Sequence, residues 1–267
     1  MRPRLHFDLH EGAGPPLLLV HGFMSSRAQW AANLPALQRV ASPVTVELWG
    51  HGRSPVPEDA ALHDPRAYAE QFEAIRQEIG GEPWYAVGQS FGAGLTLRYS
   101  LLCPEALFGQ AFTNSLSGLA ADGPDAAAER AARLRGLFAA GAPLTELPFH
   151  PRNGRRLHPD VRAGLEADAE RLTPAGLLGC IEGSRPTLSV LGDLHRIAVP
   201  TLMIVGVWEK AFLPLAALAE ARLPGLRTVR LDGGHSINAE AVEAFDAALA
   251  THLADCRATE PARKAAP

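Results

Sequence analysis

The chain has 267 residues, 47% of them hydrophobic and 20% charged, a composition that excludes global disorder and coiled coil and fits one large or two small globular domains. Its 25 Lys and Arg against 29 Asp and Glu leave a formal charge of −4, so there is no global positive field to gather phosphates, and nucleic acid is excluded as an expected partner. Cys103, Cys180 and Cys256 are odd in number and widely spaced, which excludes a closed disulfide framework and a CxxC metal site and points to a reducing compartment.

The start, Met1 to Asp8, lacks the apolar run of a secretory signal, and no stretch reaches the roughly 18 apolar residues of a membrane span. A soluble cytoplasmic protein, monomeric or homodimeric, without a membrane partner is expected. Leu17–Val20 is a short, wholly apolar run between Pro16 and Gly22, the pattern of a strand buried on both faces of a parallel sheet. Comparable runs follow at Val44–Leu48, Trp84–Val87, Gln110–Thr113, Thr201–Val205 and Arg227–Leu231. Between them lie segments with helical spacing, such as Tyr68, Phe72, Ile75 and Ile79, or Ala241, Phe245, Ala248 and Leu249. Strands alternating with helices predict an α/β fold with a mostly parallel central sheet flanked by helices.

The interval from Asn114 to Val199 breaks this rhythm with alanine-rich and basic helical stretches and no strand pattern. It predicts a small helical cap, residues 118–190, inserted before the last two strands of a core formed by residues 1–117 and 191–254. Residues 255–267 lack periodicity and read as a disordered tail.

The segment Trp84–Gly94 runs from an apolar strand through Gly88-Gln89-Ser90-Phe91-Gly92 into the helical run Leu95–Leu102. That is the strand, tight turn and helix order of a nucleophile elbow, in which flanking glycines let a serine stand proud at the carboxyl edge of the sheet. A glycine-rich turn with a bystander serine has the same local pattern. Two other loops follow buried strands: His21-Gly22-Phe23, and Trp49-Gly50-His51-Gly52-Arg53-Ser54.

From Leu17 to Leu253 the order and spacing of these landmarks resemble the α/β-hydrolase family, in its serine-nucleophile esterase and C–C hydrolase branch. The resemblance implies that fold, with a first antiparallel strand that is short or missing because the chain begins so close to Leu5. It implies Ser90 as nucleophile, His235 after the last strand as base, and backbone N–H groups of Phe23 and Phe91 as oxyanion donors. Both phenylalanines also read as apolar wall. The acid of the family follows a strand in a Gly-x-x-Asp pattern; here Gly206-Val207-Trp208-Glu209 places Glu209 there, and a loop carboxylate paired with Lys210 is the plainer alternative. Asn114 stands where some relatives draw the acid, and Asp232 lies too near His235 in sequence. His6, His10, His63, His150, His158 and His252 read as solvated.

His21, Gln89, Leu137 and Phe138 are candidate pocket residues, although His21 also reads as a loop-shaping group and the apolar series Leu134, Leu137, Phe138, Leu144 and Leu147 as helix packing. Arg152, Arg155 and Arg156 could attract a carboxylate-bearing substrate; a solvated loop accounts for them as simply. The resemblance implies hydrolysis of a small ester, thioester or lactone through an acyl-enzyme, with no metal or organic cofactor. Cleavage of a C–C bond in a vinylogous diketone, perhydrolysis, and a hydrolase-fold sensor are the competing readings.

Overall fold

In the computed structural model, residues 3–120 and 124–265 are described. The apolar runs become strands β1 (His6–Leu9), β2 (Pro16–Val20), β3 (Ser42–Glu47), β4 (Trp84–Gly88), β5 (Leu107–Thr113), β6 (Thr201–Gly206) and β7 (Arg227–Leu231). They form one sheet in the order β1-β3-β2-β4-β5-β6-β7. Only β1 runs antiparallel, with His6 opposite Glu47 and Leu9 opposite Val44. The first strand is therefore present and four residues long.

The all-apolar pattern of β2 follows from burial on both faces. Leu18 and Val20 join Val44, Val46 and Ala86 in one core, while Leu17 and Leu19 join Tyr85, Val87 and Ile204 in another, as the two-residue period of a strand requires. The helices are α1 (Leu34–Leu37), α2 (Pro65–Glu78), α3 (Phe91–Leu102), α4 (Leu116–Leu119), α5 (Pro124–Ala139), α6 (Pro159–Ala169), α7 (Pro174–Gly179), α8 (Arg185–Leu188), α9 (Leu213–Arg222), α10 (Ile237–Glu240) and α11 (Val242–Ala265). Helix α2 starts where the Asp64 carboxylate accepts from the Arg66 N–H and Pro65 pre-sets the first turn, and it buries Tyr68, Phe72 and Ile75 against the first core. Helix α11 covers the opposite face with Phe245, Leu249 and Leu253, one turn apart.

Helix α11 overturns the expected tail. Cys256 continues its buried stripe and packs on Gly109, where even a Cβ would come within 2.6 Å of the thiol sulfur, so the helix carries on to Ala265. Residues 266–267 of that tail, like 121–123 of the predicted cap, lie outside the described residues. None of the three cysteines is in a disulfide, and among the described residues no helix is long and apolar enough to cross a membrane.

Between β5 and β6 the described residues contain helices α4 to α8 and no strand. They pack through a small cluster of Met24, Leu147, Ala169, Leu172 and Leu177, and through Val161 and Leu165 against Ala239. Polar ties add to this: the Ser26 hydroxyl donates to Asp168 at 2.6 Å, and the Ser184 hydroxyl donates to the His63 carbonyl. Gly50 and Gly176 meet backbone to backbone, leaving no room for a side chain at either.

Candidate active site

All the loops that matter leave the carboxyl ends of parallel strands and so gather at one edge of the sheet. After β4 the chain reverses into α3 within three residues. The approach is so close that a Cβ on Gly88 would lie 2.5 Å from the Ala93 Cα, and one on Gly92 would lie 2.4 Å from the Val20 and His21 carbonyl oxygens. The turn forces Ser90 to φ 54° and ψ −112°, a left-handed conformation costing a non-glycine residue about 1–3 kcal/mol. The Ser115 hydroxyl, which also caps α4, donates to the Ser90 carbonyl and braces the turn.

The Ser90 hydroxyl donates to His235 Nε2 at 2.8 Å, and the Glu209 carboxylate receives His235 Nδ1 at 2.9 and 3.0 Å from its two oxygens. A carboxylate only accepts, so the proton of the neutral imidazole sits on Nδ1 and Nε2 is left as a base toward Ser90. Glu209 therefore meets the histidine and does not pair with Lys210. The longer glutamate fits because Phe212 N–H donates to the Glu209 carbonyl and Glu209 N–H to that of Gly206, curling the loop back toward β6.

Phe23 and Phe91 both line the cavity over Ser90. Among the described residues neither the Phe23 nor the Phe91 N–H has a protein acceptor; Phe91 opens α3, where the first amides of a helix are unsatisfied. The Phe23 loop is shaped by two buried histidines. His21 donates from Nδ1 to the Gly22 carbonyl (2.8 Å) and accepts the Leu48 N–H at Nε2 (3.0 Å). His51 donates to the Trp49 carbonyl and accepts the N–H of Met24 (3.1 Å), which is itself left-handed at φ 55°. Burial holds both imidazoles neutral, pushing their pKa values down to about 3 and about 4, with the His51 neighbour adding to the effect at His21.

A cavity of about 1050 Å³ opens over Ser90 and is walled by Phe23, Phe91, Leu116, Leu134, Leu137 and Ile181. Gln89 and Leu137 line it as expected. His21 does not, because its ring is sealed between the Gly22 and Leu48 backbones; nor does Phe138, which faces the Met24 and Leu147 cluster one helical step away from Leu137. Three histidines expected to be solvated are buried instead. His63 packs against Trp49 and Tyr68, His252 bonds to the Gln110 carbonyl, and His150 accepts the Arg152 N–H.

Four contributors were not foreseen in their present roles. Asn114 donates to Glu209 Oε2 at 2.7 Å. Glu240 accepts the N–H groups on both sides of His235, from Gly234 (2.8 Å) and Ser236 (3.1 Å), while Gln89 donates to the His235 carbonyl. Ser115 braces Ser90 as described. The acid at position 240, five residues past the histidine, was the one sequence signal that could have suggested its part. Among the described residues no group of three or more His, Cys, Asp or Glu side chains is arranged to hold a metal ion.

Serine, imidazole and carboxylate in one hydrogen-bonded line, beside two unsatisfied N–H groups and under a largely apolar cavity, can perform acyl transfer. The chain is 30% identical to "Putative carbamate hydrolase RutD" of Pseudomonas savastanoi pv. phaseolicola over 88% of its own length and 91% of that protein's. It is 25% identical to carboxylesterase YbfK of Bacillus subtilis over 86% and 77% of the two chains. A hydrolase from Pseudomonas aeruginosa superposes with a TM-score of 0.78 at 25% identity, covering 93% of this chain and 94% of the other. The alpha/beta hydrolase fold family matches residues 15–242, and this chain belongs to that family of hydrolase enzymes.

Proposed function

We propose that the protein is a serine hydrolase of small carboxylic esters, thioesters or lactones, with Ser90 as nucleophile, His235 as general base and acid, and Glu209 as the group that orients His235. The unbroken Ser90–His235–Glu209 line carries this reading. Ser90 Oγ attacks the acyl carbon as its proton passes to His235 Nε2. The carbonyl oxygen becomes an oxyanion facing the Phe23 and Phe91 N–H groups, and Glu209 stabilises the imidazolium. Collapse breaks the acyl C–O bond, and the alcohol leaves with the proton from His235. Water, deprotonated by the same nitrogen, then frees the acid and restores Ser90. Helices α4 to α8 act as the cap, giving the cavity its acyl-side wall.

The carboxylesterase relative supports ester cleavage; the carbamate hydrolase relative supports a second reading in which the acyl carbon belongs to a carbamate. A fluorophosphonate probe followed by peptide mass spectrometry should place the adduct on Ser90. Ser90→Ala should lower kcat by roughly 10⁴- to 10⁶-fold on 4-nitrophenyl esters. Turnover unchanged in that variant would overturn the mechanism, and comparison of ester with carbamate substrates separates the two readings.

A further inference from the structure

The lining of the cavity over Ser90 holds more arginines than carboxylates, and Arg130 and Arg185 among them have partners of their own. Five guanidinium groups line it, those of Arg130, Arg133, Arg155, Arg156 and Arg185, against two carboxylates, Glu209 and Glu240. Both carboxylates are already committed, one to His235 and Asn114 and the other to the Gly234 and Ser236 amides. Among the described residues Arg133, Arg155 and Arg156 form no ion pair.

The arrangement of these side chains also departs from ordinary helix packing. On α5 the cavity-facing positions are Arg130, Arg133, Leu134 and Leu137, one face at three- and four-residue spacing, while Ala127 and Ala131 are buried and Arg135 pairs with Glu182 away from the cavity. Charged and apolar groups thus share the face that looks toward Ser90. The Arg156 guanidinium lies 5.0 Å from the centroid of the Trp208 ring, next in sequence to Glu209. Stacking of this kind restrains a long side chain and leaves the edge of its planar fork free for a carboxylate.

Building on the serine hydrolase reading, we propose that the preferred substrate is an anionic ester, the monoester of a dicarboxylic acid with an apolar spacer. Its spacer lies along Leu134 and Leu137, and its free carboxylate is received by Arg133, Arg155 and Arg156. Hydrolysis adds water across the acyl C–O bond and releases the alcohol and a dicarboxylate.

The test compares the 4-nitrophenyl monoester of suberic acid with its neutral methyl-capped counterpart. The wild-type enzyme should favour the anionic ester by about tenfold in kcat/KM at low ionic strength, the size of one or two charge-assisted contacts, and the preference should shrink as NaCl is added. The Arg155→Gln/Arg156→Gln double variant should lower the ratio of the two kcat/KM values toward one, mainly through KM of the anionic ester. Arg135→Gln, off the cavity, should preserve the ratio, and thermal melts verify that both variants fold. A wild-type ratio at or below one, or a ratio untouched by the double variant, overturns the proposal while leaving ester hydrolysis intact. Hydrolysis of neither ester, with no phosphonate adduct on Ser90, overturns the serine hydrolase reading and this proposal with it.

Discussion

The Asn114 amide holds the Glu209 carboxylate at 2.7 Å from the end of a different strand. Its Oδ1 accepts the Gly206 N–H and its Nδ2 donates to both the Gly206 carbonyl and Glu209, so every strong hydrogen-bonding capacity of its nitrogen is used and its orientation is determined. Asn114→Asp would set a second carboxylate against Glu209, and two such groups at this distance cannot both stay ionised at little cost. The activity of that variant should fall at least tenfold at neutral pH, with its pH–rate profile displaced upward. Glu209→Gln should cost up to ~10⁴-fold through the wrong imidazole tautomer. A near-wild-type Glu209→Gln would show that the acid lies elsewhere.

Glu240 should behave as a positioning residue for His235. Glu240→Ala removes the acceptor for two backbone N–H groups flanking the imidazole, and the loop then has freedom to move His235 off the Ser90 hydroxyl. We expect kcat to fall roughly 10- to 100-fold with little change in KM, since misplacement by about 1 Å carries costs of that order. Glu240→Gln, which retains one acceptor oxygen, should recover part of the loss. Equal effects on kcat and melting temperature, with no recovery by glutamine, would indicate a purely structural role.

Leu137 and Phe138 are neighbours with different surroundings. Leu137→Phe narrows the cavity and should shift preference toward shorter acyl chains while the Ser90 labelling rate holds. Phe138→Ala should leave the preference order alone and cost about 2–4 kcal/mol of stability, as truncating a packed aromatic does. A series of 4-nitrophenyl esters of rising length, together with urea unfolding, separates the two outcomes.

Buried imidazoles contribute strongly to the acid sensitivity of the fold. The pKa values of His21, His51 and His63 are held down at about 3, about 4 and about 4, each chiefly by burial. The unfolded chain takes up protons near 6.5 and the folded chain does not, so stability is complete above that pH and declines as pH falls toward 4, by up to about 1.4 kcal/mol per pH unit for each histidine. Asp246, raised to about 6 by burial, works in the opposite direction over part of this window, while His150 and His252, also lowered by burial, add to the loss. Urea midpoints at pH 7 and pH 5 should show the drop, and His63→Leu should reduce its slope. A midpoint that is flat or rises on acidification would contradict the assigned neutral states.

The strand-building part of the fold was legible because burial on both faces demands runs such as Leu17–Val20, and a parallel sheet demands helices between them. Ser90 was legible for a similar reason: the close approach of the chain at Gly88 and Gly92 is a local constraint, and local constraints leave their mark in adjacent residues. His235 and Glu209 could be placed only by their order after strands. What the sequence did not carry was the pairing of distant groups that no landmark connects, such as Asn114 and Glu209, which stand 95 residues apart. The same limit hid the burial of His63, the sealing of His21 and the helical course past Cys256. A histidine in a polar stretch reads alike whether solvent or Trp49 lies over it, and a short turn of helix is stable only if something such as Gly109 is there to pack against. Those partners are supplied by the tertiary fold, whose long-range contacts outweigh local preference wherever the local pattern is weak.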